Sequence, residues 1–157
     1  MSKHTNLING LSTAIGSTNV IADPISLSVY ECDGATLFKA LPDVVVFPDT
    51  TKDVSKIVKI ANEYQVPFVA RGSGTGLSGG ALPTNGGVVI AMNRMNRILE
   101  VDFENQQATI ETGVVNLLLS QATLNQGYHY APDPSSQQAC SIGGNIAENS
   151  GGPHTLK

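Results

Sequence analysis

The residues of greatest chemical interest in this 157-residue sequence are glycines. The stretch VARGSGTGLSGGALPTNGG, Val69 to Gly87, holds seven of them, with Arg71 and no lysine. Ser73, Thr75 and Ser78 sit among the glycines and offer hydroxyl groups. Backbone that lacks Cβ atoms can approach a ligand closely, and successive N–H groups in such a loop form a concave site for an anion. Gly74, Gly76 and Gly79 match GxGxxG, but the dinucleotide fingerprint needs a helix to start at the second or third glycine, with its N-terminus on the pyrophosphate. Pro83 and the Asn-Gly-Gly after it leave no room for that helix. The strand-like VVIAMN also ends in asparagine where an acidic residue is required. A P-loop fails because no Gly-Lys-Ser/Thr follows. Two readings remain: a surface loop that binds nothing, or a loop at a strand's carboxyl end that holds an anion through main-chain N–H groups. The interleaved hydroxyls favour the second.

A second small-residue cluster lies in APDPSSQQACSIGGNIAENSGG, Ala131 to Gly152. Gly144, Ala147 and Gly151 recur at helical spacing and predict one face of small side chains. That face suits either tight packing in a core or close approach of a flat ligand. Asn145 and Asn149 favour a ligand, because amides both donate and accept hydrogen bonds.

These loops need elements to hold them. DVVVFP reads as a short β-branched strand. TTKDVSKIVKIANEYQ follows, with Val54, Ile57, Val58 and Ala61 at the spacing of an amphipathic helix and a capping-box-like start at Thr50 and Asp53. VPFVA reads as a second strand, parallel to the first, and the glycines begin where it ends. GVVIAM predicts a further strand, and RILEVD with ATIET a hairpin turning at Glu104 to Gln107. VVNLLLSQATLNQG predicts a helix with Val115, Leu118, Leu119 and Ala122 on one face, stopping at Gly127. Residues 1–40 read as an N-terminal extension, with NLINGLSTAIG a helix interrupted by Gly10. MNRMNR is too short to be a structural repeat and reads as a loop entering a strand.

Hydrophobic residues make up 41% and charged residues 14% of the chain, with a net charge of -4, which is the composition of a folded domain. Between Lys59 and Lys157 the only lysines and arginines are Arg71, Arg94 and Arg97. That is too few to track a phosphate backbone, so nucleic acid is not the expected partner. No apolar run reaches the roughly 18 residues of a membrane span, and no signal peptide is evident, so a cytoplasmic protein is expected. Cys32 and Cys140 form no CxxC pair and read as free thiols.

Taken together, PDVVVFPDTTKDVSKIV, PFVARGSGTGLSGGALP and YAPDPSSQQACSIGGNIAENSGGPHTLK resemble the FAD-linked oxidases of the vanillyl-alcohol oxidase superfamily. Within it the match is to the branch of glycolate oxidase and the D-lactate dehydrogenases, and it covers about Leu41 to Lys157. The resemblance implies an α+β fold: a PCMH-type FAD-binding domain over 41–157, with its first α/β lobe and the start of a second. It implies that Arg71, Gly72, Ser73, Gly74, Thr75 and Gly76 wrap the FAD pyrophosphate, with Ser78, Gly79 and Gly80 closing the turn. Pro134, Ser135, Ser136, Ser141, Gly143, Gly144, Asn145, Asn149 and Gly151 would line the other side of the cofactor. Some members attach flavin covalently through a histidine, and Thr75 occupies the matching position, so noncovalent FAD is expected.

The resemblance further implies a flavoprotein oxidoreductase of 2-hydroxy acids, of the (S)-2-hydroxy-acid/glycolate oxidase or D-lactate dehydrogenase type, passing hydride from the substrate Cα to flavin N5. The family's general base and any metal belong to a C-terminal substrate domain. No catalytic or metal-binding residue is therefore assigned here, and His4, His129 and His154 are given no role. The expectation is an N-terminal portion that is inactive alone and meets its 2-hydroxy acid only with that domain, with other subunits of a glycolate oxidase complex as possible partners. The alternatives are a non-catalytic truncated remnant or a subunit of a split flavoprotein. A flavin reductase acting on a nucleotide sugar fits YAPDPSSQQACSIGGN less well.

Overall fold

The computed structural model describes residues 2–155; Met1 and the last two residues of the second motif, Leu156 and Lys157, lie outside the described residues. Its elements in chain order are α1 (Lys3–Ile15), β1 (Val20–Ile21), α2 (Pro24–Leu27), β2 (Val44–Val46), α3 (Thr51–Glu63), β3 (Phe68–Arg71), β4 (Val88–Ala91), β5 (Ile98–Asp102), β6 (Gln107–Ile110), α4 (Asn116–Thr123) and α5 (Ile142–Ala147). Short 3-10 turns join several of them.

A four-stranded sheet runs in the order β1-β2-β4-β3. β2, β4 and β3 are parallel, and β1 lies antiparallel on the β2 edge. The two strands that flank α3 are therefore parallel, as expected, but β4 is inserted between them. The unbroken runs Val44-Val45-Val46 and Val88-Val89-Ile90-Ala91 explain this: a strand covered on both faces needs apolar residues at every position, and all seven are at most 2% exposed. β3 has Phe68 and Ala70 exposed and takes the edge.

The period-2 alternation of the central strands sorts their side chains into two cores. Val44, Val46, Val88 and Ile90 pack against Leu7 and Leu11 of α1 and Ile57 and Ala61 of α3. Val45, Phe47, Val89 and Ala91 pack against Leu27 of α2, with Ile21 and Tyr30 alongside. Residues 1–40 thus contribute to both cores. α1 starts earlier than predicted, capped by the Ser2 hydroxyl on the Thr5 N–H, and runs through Gly10 without a break. A Cβ on Gly10 would lie 3.7 Å from Ile60 and 3.8 Å from Tyr64, so this glycine faces α3. The predicted α3 cap is present: Thr50 Oγ1 accepts the Asp53 N–H at 3.2 Å and donates to Asp53 Oδ2 at 2.7 Å, a cap worth about 1 kcal/mol.

Beyond β4 the chain builds a second, smaller layer. β5 and β6 form an antiparallel hairpin with an irregularity between Ile98 and Glu100. Val114, Leu119 and Ile142 make its core, with Ile98, Ile110 and Tyr130 packed around them. α4 does not bury the predicted face. Its buried residues are Asn116, Leu119 and Thr123, whereas Leu118 and Ala122 are exposed. The reason is polar: the Thr123 hydroxyl lies within hydrogen-bond distance of the carbonyls of Leu119 (3.1 Å) and Tyr128 (3.0 Å), and Asn116 Nδ2 donates to Pro132 O and Asn145 Oδ1. Gly127, left-handed at φ 79°, ends the turn that follows α4, as its position predicted. No helix among the described residues is long and apolar enough to cross a membrane.

Candidate functional site

The glycine loop leaves β3 at Arg71, at the carboxyl end of the parallel strands, where open α/β sheets present their ligand crevice. It contains no regular helix between residues 72 and 80. Across from it, residues 112–116 lie beside residues 140–143, joined by Asn116 N–H to Cys140 O, Ile142 N–H to Val114 O and Gly143 N–H to Thr112 O at 2.8–2.9 Å. Between the two walls lies a cavity of about 530 Å³, within the size range of small-molecule and cofactor sites.

Fourteen of the residues singled out from sequence meet on this cavity: Gly72, Ser73, Gly74, Thr75, Gly76, Ser78, Gly80, Pro134, Ser135, Ser136, Ser141, Gly143, Gly144 and Asn145. The two glycine motifs, about 60 residues apart in sequence, thus face each other. They touch at Gly72, where a Cβ would collide with Ser141 Oγ. That oxygen cannot readily move, because it accepts the Gly144 N–H at the start of α5.

Arg71, Gly79, Asn149 and Gly151 do not line the cavity. The Arg71 guanidinium turns behind the loop, where Nη2 donates to Cys32 O at 2.8 Å and the group stacks 5.7 Å from the Tyr30 ring centroid. Gly79 gives its N–H to Asp33 Oδ2 at 2.8 Å. Asn149 ends a helix: at φ 52° it is the left-handed residue after α5, with Ser150 N–H bonded to Asn145 O and Asn149 N–H to Ile146 O. This pair of bonds is a Schellman motif. Gly151 therefore lies beyond the helix, and the predicted small face stops at Ala147. The Asn145 amide does not project freely either, since Oδ1 accepts from Asn116 and Nδ2 lies 3.3 Å from Cys140 Sγ.

Several wall residues were not singled out from sequence: Asp33, Met92 and Thr112 lie outside the two motifs, and Cys140 and Glu148 lie within the second one. Asp33 comes from the aperiodic stretch before β2, and only the hydrogen bonds of the folded chain place it here. Among the described residues, Asp33 and Glu148 are the only formally charged side chains on the cavity wall. An anion there would be met by main chain and hydroxyls. The main chain is available for this: among the described residues, the N–H groups of residues 73–78 donate to no other group of the chain. Next to the Pro134–Ser136 wall, His154 lies with Nδ1 2.5 Å from Asp133 Oδ2, and the pairing holds the Asp133 carboxyl below its ordinary range.

A family model described as FAD binding domain matches residues 42–157. The chain belongs to this FAD-binding domain family. FAD is its cofactor, and the resemblance drawn from the two glycine motifs is borne out. Glycolate oxidase subunit GlcD of Escherichia coli (strain K12) is 42% identical over 153 residues, which are 98% of this chain and 31% of the relative. A D-lactate dehydrogenase of Anaerostipes hadrus is 38% identical over 138 residues, 88% of this chain and 29% of the relative. The chain thus spans less than a third of the length of these curated relatives. Among solved structures, 4-ethylphenol oxidase from Gulosibacter chungangensis superposes with a TM-score of 0.79 at 32% identity, covering 91% of this chain and 28% of that one. The mixed α/β architecture is therefore that of the PCMH-type FAD-binding proteins.

The residues present fit FAD. Both motifs wall the cavity, the hydroxyl-bearing residues Ser73, Thr75, Ser78, Ser135 and Ser136 are among its lining, and a run of uncommitted N–H groups suits a pyrophosphate.

Proposed function

We propose that FAD binds noncovalently in the cavity between residues 72–80 and 134–145, as part of an enzyme that oxidises a small 2-hydroxy acid such as glycolate or D-lactate. The observation that supports this most directly is the row of free N–H groups at residues 73–78 on a loop whose glycines admit close approach. These groups would hold the pyrophosphate, and Ser141 and Gly143 would face the remainder of the cofactor. Bound FAD supplies two-electron acceptance, while the chain's own residues bind and orient it. The choice of a 2-hydroxy acid rests on the likeness to GlcD and the D-lactate dehydrogenase.

The chain spans less than a third of the relatives on which this reading rests, and the group that removes the substrate hydroxyl proton is proposed to come from a part of the enzyme that residues 1–157 do not cover. The test is direct. The chain should quench flavin fluorescence on titration with FAD, and Gly74→Val should lose that signal. The FAD-loaded 157-residue chain should reduce no dye with glycolate or D-lactate. Unquenched FAD at saturating protein would reject the cofactor site, and hydroxy-acid-dependent dye reduction would reject the assignment of the base.

A further inference from the structure

We infer that Tyr30–Gly34, a strap preceding the region matched by the family model, sets the conformation of the glycine loop, and that Asp33 and Gly34 are positioning residues for the cofactor site. The inference rests on the FAD reading above.

Three consecutive residues of the strap grip the loop at its start, middle and end. Cys32 O accepts from Arg71 Nη2 at 2.8 Å, at the first residue of the loop. Gly34 N–H donates to Gly76 O at 2.9 Å. Asp33 Oδ2 accepts the Gly79 N–H at 2.8 Å, while Oδ1 accepts the Ala35 N–H at 2.9 Å and so fixes the carboxylate. The grip brackets residues 73–78, whose N–H groups are uncommitted. Both charged members are buried, Asp33 to 5% exposure and Arg71 to 8%, and Tyr30 lies under the guanidinium.

A glycine-rich loop has the most backbone freedom to lose when it closes on a ligand. Contacts that order it beforehand strengthen binding without touching the ligand. The strap is built for that: it bonds to loop carbonyl, loop N–H and loop side chain, leaving the bracketed N–H groups free.

Gly34→Ala isolates the effect. Gly34 is outside the cavity lining and its own φ is not left-handed, but a Cβ would come 2.7 Å from Thr75 O and 3.0 Å from Gly76 O. The added methyl should therefore pry strap from loop and leave the cavity wall chemically intact. FAD affinity by fluorescence titration should fall roughly tenfold, and hydrogen exchange of the Gly79 N–H, the loop amide that Asp33 holds, should accelerate in the FAD-free chain, with exchange in Thr51–Glu63 unchanged. Asp33→Ala should do the same. Asp33→Asn should fall between it and the parent, because an amide retains one of the two acceptor oxygens. Gly10→Ala, remote from the loop, should match the parent.

If Gly34→Ala and Asp33→Ala bind FAD within about twofold of the parent while Gly74→Val does not bind, the strap does not position the loop. If the parent itself fails to bind FAD, the cofactor reading fails, yet exchange in the FAD-free chain still decides the strap: unchanged protection of the Gly79 N–H in both variants would overturn it. Should Gly34→Ala not fold, the graded order of the two Asp33 variants decides.

Discussion

The guanidinium of Arg71 fills the space in which a Cβ on Gly74 would have to sit, and Gly74 itself is held at φ 70°. Strand end and loop are thus interlocked. A β-branched side chain at 74 would be strained in this backbone and would drive Arg71 from its bond to Cys32. Gly74→Val should therefore lower FAD affinity by at least about tenfold and cost about 2–3 kcal/mol of stability. Arg71→Lys keeps the charge and loses the planar contact with Tyr30, so it should cost about 1 kcal/mol. Titration with FAD and urea unfolding of both variants check the order. An Arg71→Lys chain weaker than Gly74→Val would show that the guanidinium, rather than the glycine, governs the loop.

The flavin should leave with acid. Thr75 lines the cavity where some members of the family carry the linking histidine, and no histidine lines it among the described residues. Cys140, a thiol on the wall, is 4% exposed and lies against the Asn145 amide. Acid precipitation of the FAD-loaded chain should release all of the yellow colour to the supernatant. Flavin fluorescence retained in the washed pellet would show a covalent bond and remove Thr75 as its explanation.

The asymmetry between what sequence revealed and what it hid has physical causes. Val44–Val46 and Val88–Ala91 were legible because strands covered on both faces carry apolar residues at every position, and the Thr50–Asp53 cap because its chemistry is local. The insertion of β4 between β2 and β3 was not legible, since sheet order is decided by packing between distant segments. The α4 face was misread because apolar periodicity cannot score a buried Asn116 or Thr123, whose burial depends on partners at Pro132, Asn145 and Tyr128. The glycines and hydroxyls of the first loop were legible because they cluster in one motif, and the fourteen cavity residues as a set because the two motifs together resemble a known family. Asp33 was not, because the bond that ties it to the loop is to the Gly79 N–H, 46 residues away.

Asn116 joins the two halves of the second layer. It is fully buried, and its Nδ2 donates at 2.7 Å to Pro132 O and at 2.8 Å to Asn145 Oδ1. Asn116→Ala would strand both acceptors and open a void, so a loss of about 2–3 kcal/mol is expected in urea unfolding. Asn116→Asp removes the donor while preserving the volume and should be no better. A loss below about 0.5 kcal/mol in either variant would mean that water satisfies these acceptors at no cost.

Glu111 at the end of the β5–β6 hairpin gives a pH-dependent term. Its Oε1 accepts from Arg97 Nε at 3.1 Å and Nη2 at 2.6 Å, and its Oε2 accepts the Arg97 N–H at 2.9 Å. The guanidinium first, and then the backbone N–H, hold the Glu111 carboxyl below its ordinary value of 4.5. A carboxyl whose pKa is lowered by folding binds fewer protons in the native chain than in the unfolded one. Its contribution is therefore present above pH 4.5 and is lost as pH falls through the native value. Glu111→Gln lacks the titration, so the stability difference between parent and variant should be largest near pH 7 and shrink on acidification to about pH 3. Other lowered carboxyls, Asp53 and Asp102 among them, titrate in both chains and cancel in the difference. Urea unfolding at several pH values supplies the measurement, and a difference that stays constant across that range would show that the Arg97 pair does not hold the hairpin through its charge.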